Sequence, residues 1–106
     1  MKKIPTEFTR NPFVCRLIFR EAGVAIYELT HKGSGKVNNY EVVIIRQHKA
    51  DNDFIQVKAG DEYLPSTSEW GRYGWTFPTL ELANYKAKHI IHERNLEKSR
   101  SHSSAN

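Results

Sequence analysis

Phe13-Val14-Cys15-Arg16-Leu17-Ile18-Phe19-Arg20, then Glu21-Ala22-Gly23, then Val24-Ala25-Ile26-Tyr27-Glu28-Leu29-Thr30-His31, is the stretch on which the fold turns. Phe13, Cys15, Leu17 and Phe19 alternate with Val14, Arg16, Ile18 and Arg20, a period of two built from β-branched and aromatic residues, which predicts a strand. Ala25, Tyr27, Leu29 and His31 alternate in the same way with Val24, Ile26, Glu28 and Thr30. The three residues between them suit a tight turn, so the two runs predict a hairpin. The first strand's second face mixes apolar and basic residues and is expected to be partly solvent-facing.

Working outward, Lys32-Gly33-Ser34-Gly35-Lys36 reads as a flexible basic hairpin tip. Tyr40 to Gln47 reads as a third strand, and its centre, Val42 to Ile45, is apolar on both faces, as expected of a strand inside a sheet. Asp51-Asn52-Asp53 interrupts the pattern, and Phe54 to Ala59 reads as a fourth strand. Pro65 leads the chain out of the sheet, because proline cannot donate to a ladder. The segment Ser66 to Phe77 holds both tryptophans and reads as an aromatic connector or short fifth strand, with Tyr73, Trp75 and Phe77 on one face. Thr79 is a suitable helix N-cap with Glu81 in the first turn. Leu80, Ala83, Ala87, Ile90 and Ile91 then form one stripe at helical spacing.

Strands followed by a helix predict an α+β fold: a mainly antiparallel four- to five-stranded sheet with one C-terminal helix packed on one face. Residues 1–12 read as an N-terminal arm, 13–97 as a single domain, and 98–106 as a disordered tail with no large apolar residue to anchor it. Leu17, Ile44 and Ile90 are expected in one core.

The 106 residues carry a formal net charge of +4 with 39% hydrophobic and 26% charged residues, ordinary values for a globular chain. Charge is unevenly spread: nine Lys/Arg stand against four Asp/Glu from Met1 to Ala50, and seven against eight from Asp51 to Asn106. A basic half is compatible with a polyanionic partner. No apolar run is long enough to span a membrane, and Met1-Lys2-Lys3-Ile4-Pro5 lacks the features of a secretory signal. The lone cysteine, Cys15, leaves no intramolecular disulfide and points to a reducing, cytoplasmic setting.

Motifs for chemistry are missing where spacing would reveal them. Gly33-Ser34-Gly35-Lys36 is too short for a phosphate-cradling loop and runs into a strand rather than a helix. His89 and His92 are three apart without a third ligand, and the metalloprotease pattern needs four with an intervening glutamate. Asp51, Asp53, Asp61, Glu62 and Glu69 fall in loops at no diagnostic spacing. Neither a metal, a cofactor nor a catalytic residue is therefore assigned, and a non-catalytic binding protein is expected. Aromatic faces beside cations can hold single-stranded nucleic acid. The candidate contact residues are Arg16, Arg20, Lys32, Lys36, Arg46, Trp70, Arg72 and Tyr73. Arg16, Arg20 and Arg46 are expected to share a sheet face. The same aromatics could instead fill the core, since a short domain needs the area they bury.

Ser68-Glu69-Trp70-Gly71-Arg72-Tyr73-Gly74-Trp75-Thr76, followed by Thr79-Leu80-Glu81-Leu82-Ala83 and preceded by Tyr40-Glu41-Val42-Val43-Ile44-Ile45-Arg46, resembles a pattern in small uncharacterised phage and mobile-element proteins. The resemblance spans the last two-thirds of the chain and implies origin rather than mechanism. The element order is also similar to that of the dimeric single-stranded-DNA-binding coactivators, an analogy of topology alone. The charge asymmetry and the aromatic segment make nucleic acid the expected partner, with a host enzyme or defence complex inhibited by protein contact as the alternative.

Overall fold

In the computed structural model, which describes residues 1–104 with side chains to Lys98, the Phe13–His31 stretch forms the predicted hairpin. Strand β1 (Glu7–Arg10) pairs with β2 (Phe13–Glu21), β2 with β3 (Val24–His31), β3 with β4 (Val37–Ile44), and β4 with β7 (Gly74–Phe77), every pair antiparallel. The result is a five-stranded sheet of order β1-β2-β3-β4-β7 with helix α1 (Leu80–Ser104) against β3, β4 and β7. This is the α+β architecture that the periodicities predict. No described helix is long and apolar enough to cross a membrane.

The β2–β3 turn is Ala22-Gly23, with φ of 52° and 77°. Two consecutive positive φ values match the twist of a two-residue hairpin. At the other end of β3, His31 Nδ1 accepts from the Gly33 and Ser34 amides at 3.1 and 3.3 Å and organises the basic tip. Thr79 caps α1, its Oγ1 accepting from the Leu82 amide at 3.3 Å.

Both faces of the sheet are covered. On one, Val24, Ile26 and Val42 pack with Ala83, Ala87 and Ile90 of the helix, joined by Phe19, Ile44, Trp75 and Phe77. The small Ala83 and Ala87 bring α1 close to the strands. On the other, Cys15, Ala25, Tyr27, Leu29, Val43 and Ile45 pack under Ile4 of the N-terminal arm, with Leu64 and Trp70 at the side. The Tyr27 hydroxyl donates to the Pro5 carbonyl at 2.6 Å. Val42 to Ile45 alternate between the two cores, as a strand apolar on both faces requires.

Several expectations are corrected. Leu17 lies on the arm side, whereas Ile44 and Ile90 lie on the helix side, so the three do not share a core. The reason is a bulge: Leu17 pairs with Tyr27 but Phe19 pairs with Ile26, and Ile18 is the extra residue. Counted back from the turn, the added residue puts Leu17 opposite Tyr27 on the arm side while Phe19 faces the helix. Phe54 to Ala59 is not a strand, because Asn52 and Val57 exchange backbone hydrogen bonds of 2.9 and 3.0 Å and close the segment into a tight hairpin. The third strand breaks at Ile45. Beyond it β5 (Arg46–Gln47) pairs with β6 (Glu62–Tyr63) as a separate two-stranded ribbon, followed by a single 3₁₀ turn, Thr67–Glu69. The arm itself contains the edge strand β1. Of the expected tail 98–106, residues 98–104 continue the helical backbone, with no glycine or proline to stop it, and Ala105 and Asn106 lie outside the described residues.

Candidate functional site

The arginines expected to form one basic surface are separated and paired. Arg16 stands on the helix side of β2, 3.6 Å from Glu7. Arg20, beyond the bulge, is opposite Ala25 on the arm side and makes a two-pronged contact with Glu62, one prong of 2.9 Å. Glu62 also accepts from the Ile4 amide, and the Arg20 guanidinium holds its carboxyl well below the usual range, at about 2. Arg46 lies 2.5 Å from Glu69. A carboxylate partner offsets an arginine's attraction for a phosphate, more at the partly buried Arg20 and Arg46 than at the exposed Arg16–Glu7 pair. The expected shared face of Arg16, Arg20 and Arg46 is therefore corrected: the β2 bulge separates Arg16 from Arg20, and the break at Ile45 carries Arg46 into the β5–β6 ribbon.

Arg46, Arg72 and Tyr73 do come together, in a stack. The Arg46 guanidinium sits 4.8 Å from the Tyr63 ring and 3.9 Å from the Tyr73 ring, and Arg72 lies 5.2 Å from Tyr73. His48 extends the stack, its ring 4.4 Å from that of Tyr63. Arg46 is thus shared by two aromatic rings and one carboxylate, and the Tyr73 ring is already occupied by two guanidinium groups. Trp70 is also engaged: its Nε1–H donates to Thr76 Oγ1 at 2.9 Å, and its ring lies against Gly74 and the arm-side core. Trp75 and Phe77 belong to the helix-side core, with the Lys86 ammonium 4.4 Å from the Trp75 ring.

Lys32 and Lys36 stand at the far end of β4 from Arg46, roughly 27 Å away for an eight-residue strand. Lys32 Nζ meets Asn11 Oδ1 at 3.3 Å, and neither lysine has a carboxylate partner among the described residues. The eight candidate residues therefore divide into a tip with two lysines, a stack of Arg46, Arg72 and Tyr73, two separately paired arginines, and Trp70 packed on the arm-side core.

The most exposed feature is one that the alternation rule misread. Between Asp51 and Lys58 the chain presents Phe54 at 95% exposure and Ile55 at 55%. The hairpin is held from several sides. Asn52 Oδ1 accepts from the Phe54 amide at 3.0 Å and Asp51 Oδ1 from the Ala59 amide at 2.8 Å. Lys58 lies 3.6 Å from Asp53. At its base Asp61, 3% exposed, accepts from the Lys2 and Lys58 amides, and these bonds lower its carboxyl's affinity for protons. Gln56 is held at φ 57°, a left-handed conformation that few side chains adopt without compensation. The signal was available in the sequence: Asp51-Asn52-Asp53 are residues whose side chains bond their own backbone in turns.

Ionisable groups show no reactive constellation among the described residues. Cys15 is fully buried and its thiol is pushed up by burial, which disfavours the thiolate. His89 and His92 are exposed on α1, and no group of three metal-ligating side chains occurs among the described residues. An open groove of about 920 Å³ runs between the C-terminal half of α1 and the β2–β3 turn, floored by Ile44, Ile45 and Ile90. The Arg94 guanidinium crosses it above Gly23. No protein-family model matches the chain, and no curated protein or solved structure is found to be similar to it.

Proposed function

We propose that this chain is a non-catalytic protein-binding module that docks through the 51–58 hairpin onto an apolar pocket of its partner. The observation that carries the reading is Phe54: a large aromatic side chain, 95% exposed, at the apex of a hairpin fixed by hydrogen bonds on both flanks. An exposed aromatic contributes nothing to the core and is an energetic anchor when a partner covers it. Fixing its loop beforehand removes much of the ordering cost of binding. The engagement of Arg16, Arg20 and Arg46 by carboxylates weighs against an extended nucleic-acid surface. A phage or mobile-element origin, which the resemblance of the Ser68–Thr76 segment implies, would make a host enzyme or defence complex the class of partner.

A photo-crosslinking residue at position 55 tests this in the full chain. The expected result is a crosslink to a discrete protein, lost in Phe54→Ala and retained in Lys32→Ala/Lys36→Ala. A second reading keeps nucleic acid as ligand of the Lys32–Lys36 tip, favoured by the two ammonium groups without carboxylate partners. It requires oligonucleotide binding that falls steeply with salt and is lost in the double lysine variant. That outcome, with no crosslink through position 55, would replace the protein-docking reading.

A further inference from the structure

Helix α1 has a second face that the fold does not use. Ala83, Ala87 and Ile90 are buried against the sheet. Roughly opposite them, at 100° per residue, lie Leu82, Tyr85, His89, His92 and Leu96. Their spacing is three, four, three, four, the alternation of the a and d positions of a heptad. All five are exposed, Tyr85 at 77% and Leu82 at 47%. A helix packed on a sheet needs only one apolar face, and polar residues suffice on the other. Here the outer face carries two leucines and a tyrosine in register with two histidines, over roughly 21 Å of helix.

The flanks of this seam identify what covers it. With Leu82 at an a position, Glu81 and Lys88 fall at g, and Lys86 and Glu93 at e. In two parallel helices each g residue meets the e residue five positions later on its neighbour. Glu81 then meets Lys86 of a second copy, and Lys88 meets Glu93. Both contacts join opposite charges, and two-fold symmetry repeats each of them, giving four complementary contacts and no like-charge one. Among the described residues none of the four side chains takes part in an ion pair within its own chain. The Lys86 ammonium, 4.4 Å from the Trp75 ring, sits on the flank where the neighbour's Glu81 arrives.

We infer that α1 pairs side by side and parallel with α1 of a second copy of this chain through Leu82, Tyr85, His89, His92 and Leu96. The sheets lie on the outer sides of the helix pair, so the two bodies do not obstruct each other. The inference is independent of the docking role of Phe54. Its consequence for that role is that one dimer carries two hairpins and can engage a repeated partner bivalently.

Sedimentation velocity of the full chain, at concentrations up to about 1 mM because two heptads make a weak contact, tests the pairing. Wild-type protein is expected to shift from monomer to dimer with concentration. Tyr85→Lys should abolish the shift, as should either charge-reversed pair, Glu81→Lys/Lys88→Glu or Lys86→Glu/Glu93→Lys. Mixing the two reversed proteins restores every g–e contact, so the mixture should form a heterodimer although neither protein dimerises alone. Melting curves confirm that each variant is folded, which matters for Lys86→Glu because it removes the contact with Trp75. A wild-type chain that stays monomeric throughout, a dimer indifferent to both reversals, or a folded mixture that stays monomeric overturns the inference.

Discussion

At Gly74 a Cβ atom would stand 2.6 Å from Trp70 Cζ3 and 2.7 Å from Cε3, so the indole occupies the space a side chain would take. Gly74→Ala is expected to push the ring off the arm-side core, break its bond to Thr76, and cost about 1 to 3 kcal/mol in urea denaturation. Unchanged stability would mean that Trp70 is not packed as described. Glu62 sets the acid response. Its folded-state carboxyl titrates at about 2 against an ordinary 4.5, because the Arg20 guanidinium holds it ionised. Its contribution to stability is fully present above about pH 4.5 and is lost as pH falls toward 2. Asp61 is shifted in the same direction, by the Lys2 and Lys58 amides. Melting temperature should therefore drop through this acid window, and more shallowly in Glu62→Gln than in wild type. An identical acid limb in the two proteins would remove Glu62 from the account. Neither residue's role is legible in sequence. A glycine beside tryptophans, or an acid in a loop, acquires meaning only from the neighbour it meets.

Among the elements, the N-terminal arm and the 51–58 hairpin behave oppositely although both read as peripheral. The arm buries Ile4 to 5% exposure, supplies the Pro5 carbonyl to Tyr27, and places the Lys2 and Ile4 amides on Asp61 and Glu62. Ile4→Ala should cost about 2 to 4 kcal/mol by chemical denaturation, the range for a buried aliphatic side chain. A loss below 0.5 kcal/mol, roughly the level of a surface substitution, would show the arm undocked. The hairpin gives nothing to the core, so Phe54→Ala should leave the midpoint within about 0.5 kcal/mol of wild type while removing partner contact. The sequence presents these two segments misleadingly. Ile4 is an isolated apolar residue among polar ones, with no period to advertise burial. Phe54-Ile55-Gln56-Val57 has strand-like composition, but Asn52 and Asp51 bond the local backbone first and leave it no sheet to join.

For the whole molecule, β3 and β4 bind two cores into one cooperative unit, since Val24 and Ile26 face the helix while Ala25 and Tyr27 face the arm. Val42→Asp, which places a charge in the fully buried helix-side core, is expected to unfold both sides together, because an unpaired buried charge costs several kcal/mol against a total of about 5 to 15. Coincident loss of far-ultraviolet and near-ultraviolet circular dichroism would confirm it, and a protein that keeps native tertiary signal would contradict it. The α+β class, the Phe13–His31 hairpin, the two-sided burial of Val42 to Ile45 and the Thr79 start of α1 were all determined by the sequence itself. Each rests on a period or a cap that spans a few consecutive residues and depends on no distant partner. Tertiary structure alone decided the faces of Arg16 and Arg20, the pairing of Arg46 with Glu69, the packing of Trp70 against the arm-side core and the exposure of Phe54. A bulge's position depends on the register of the neighbouring strand, and an arginine's availability depends on which carboxylate the fold delivers to it. Those are relations between residues far apart in the chain, and periodicity within a segment carries no information about them.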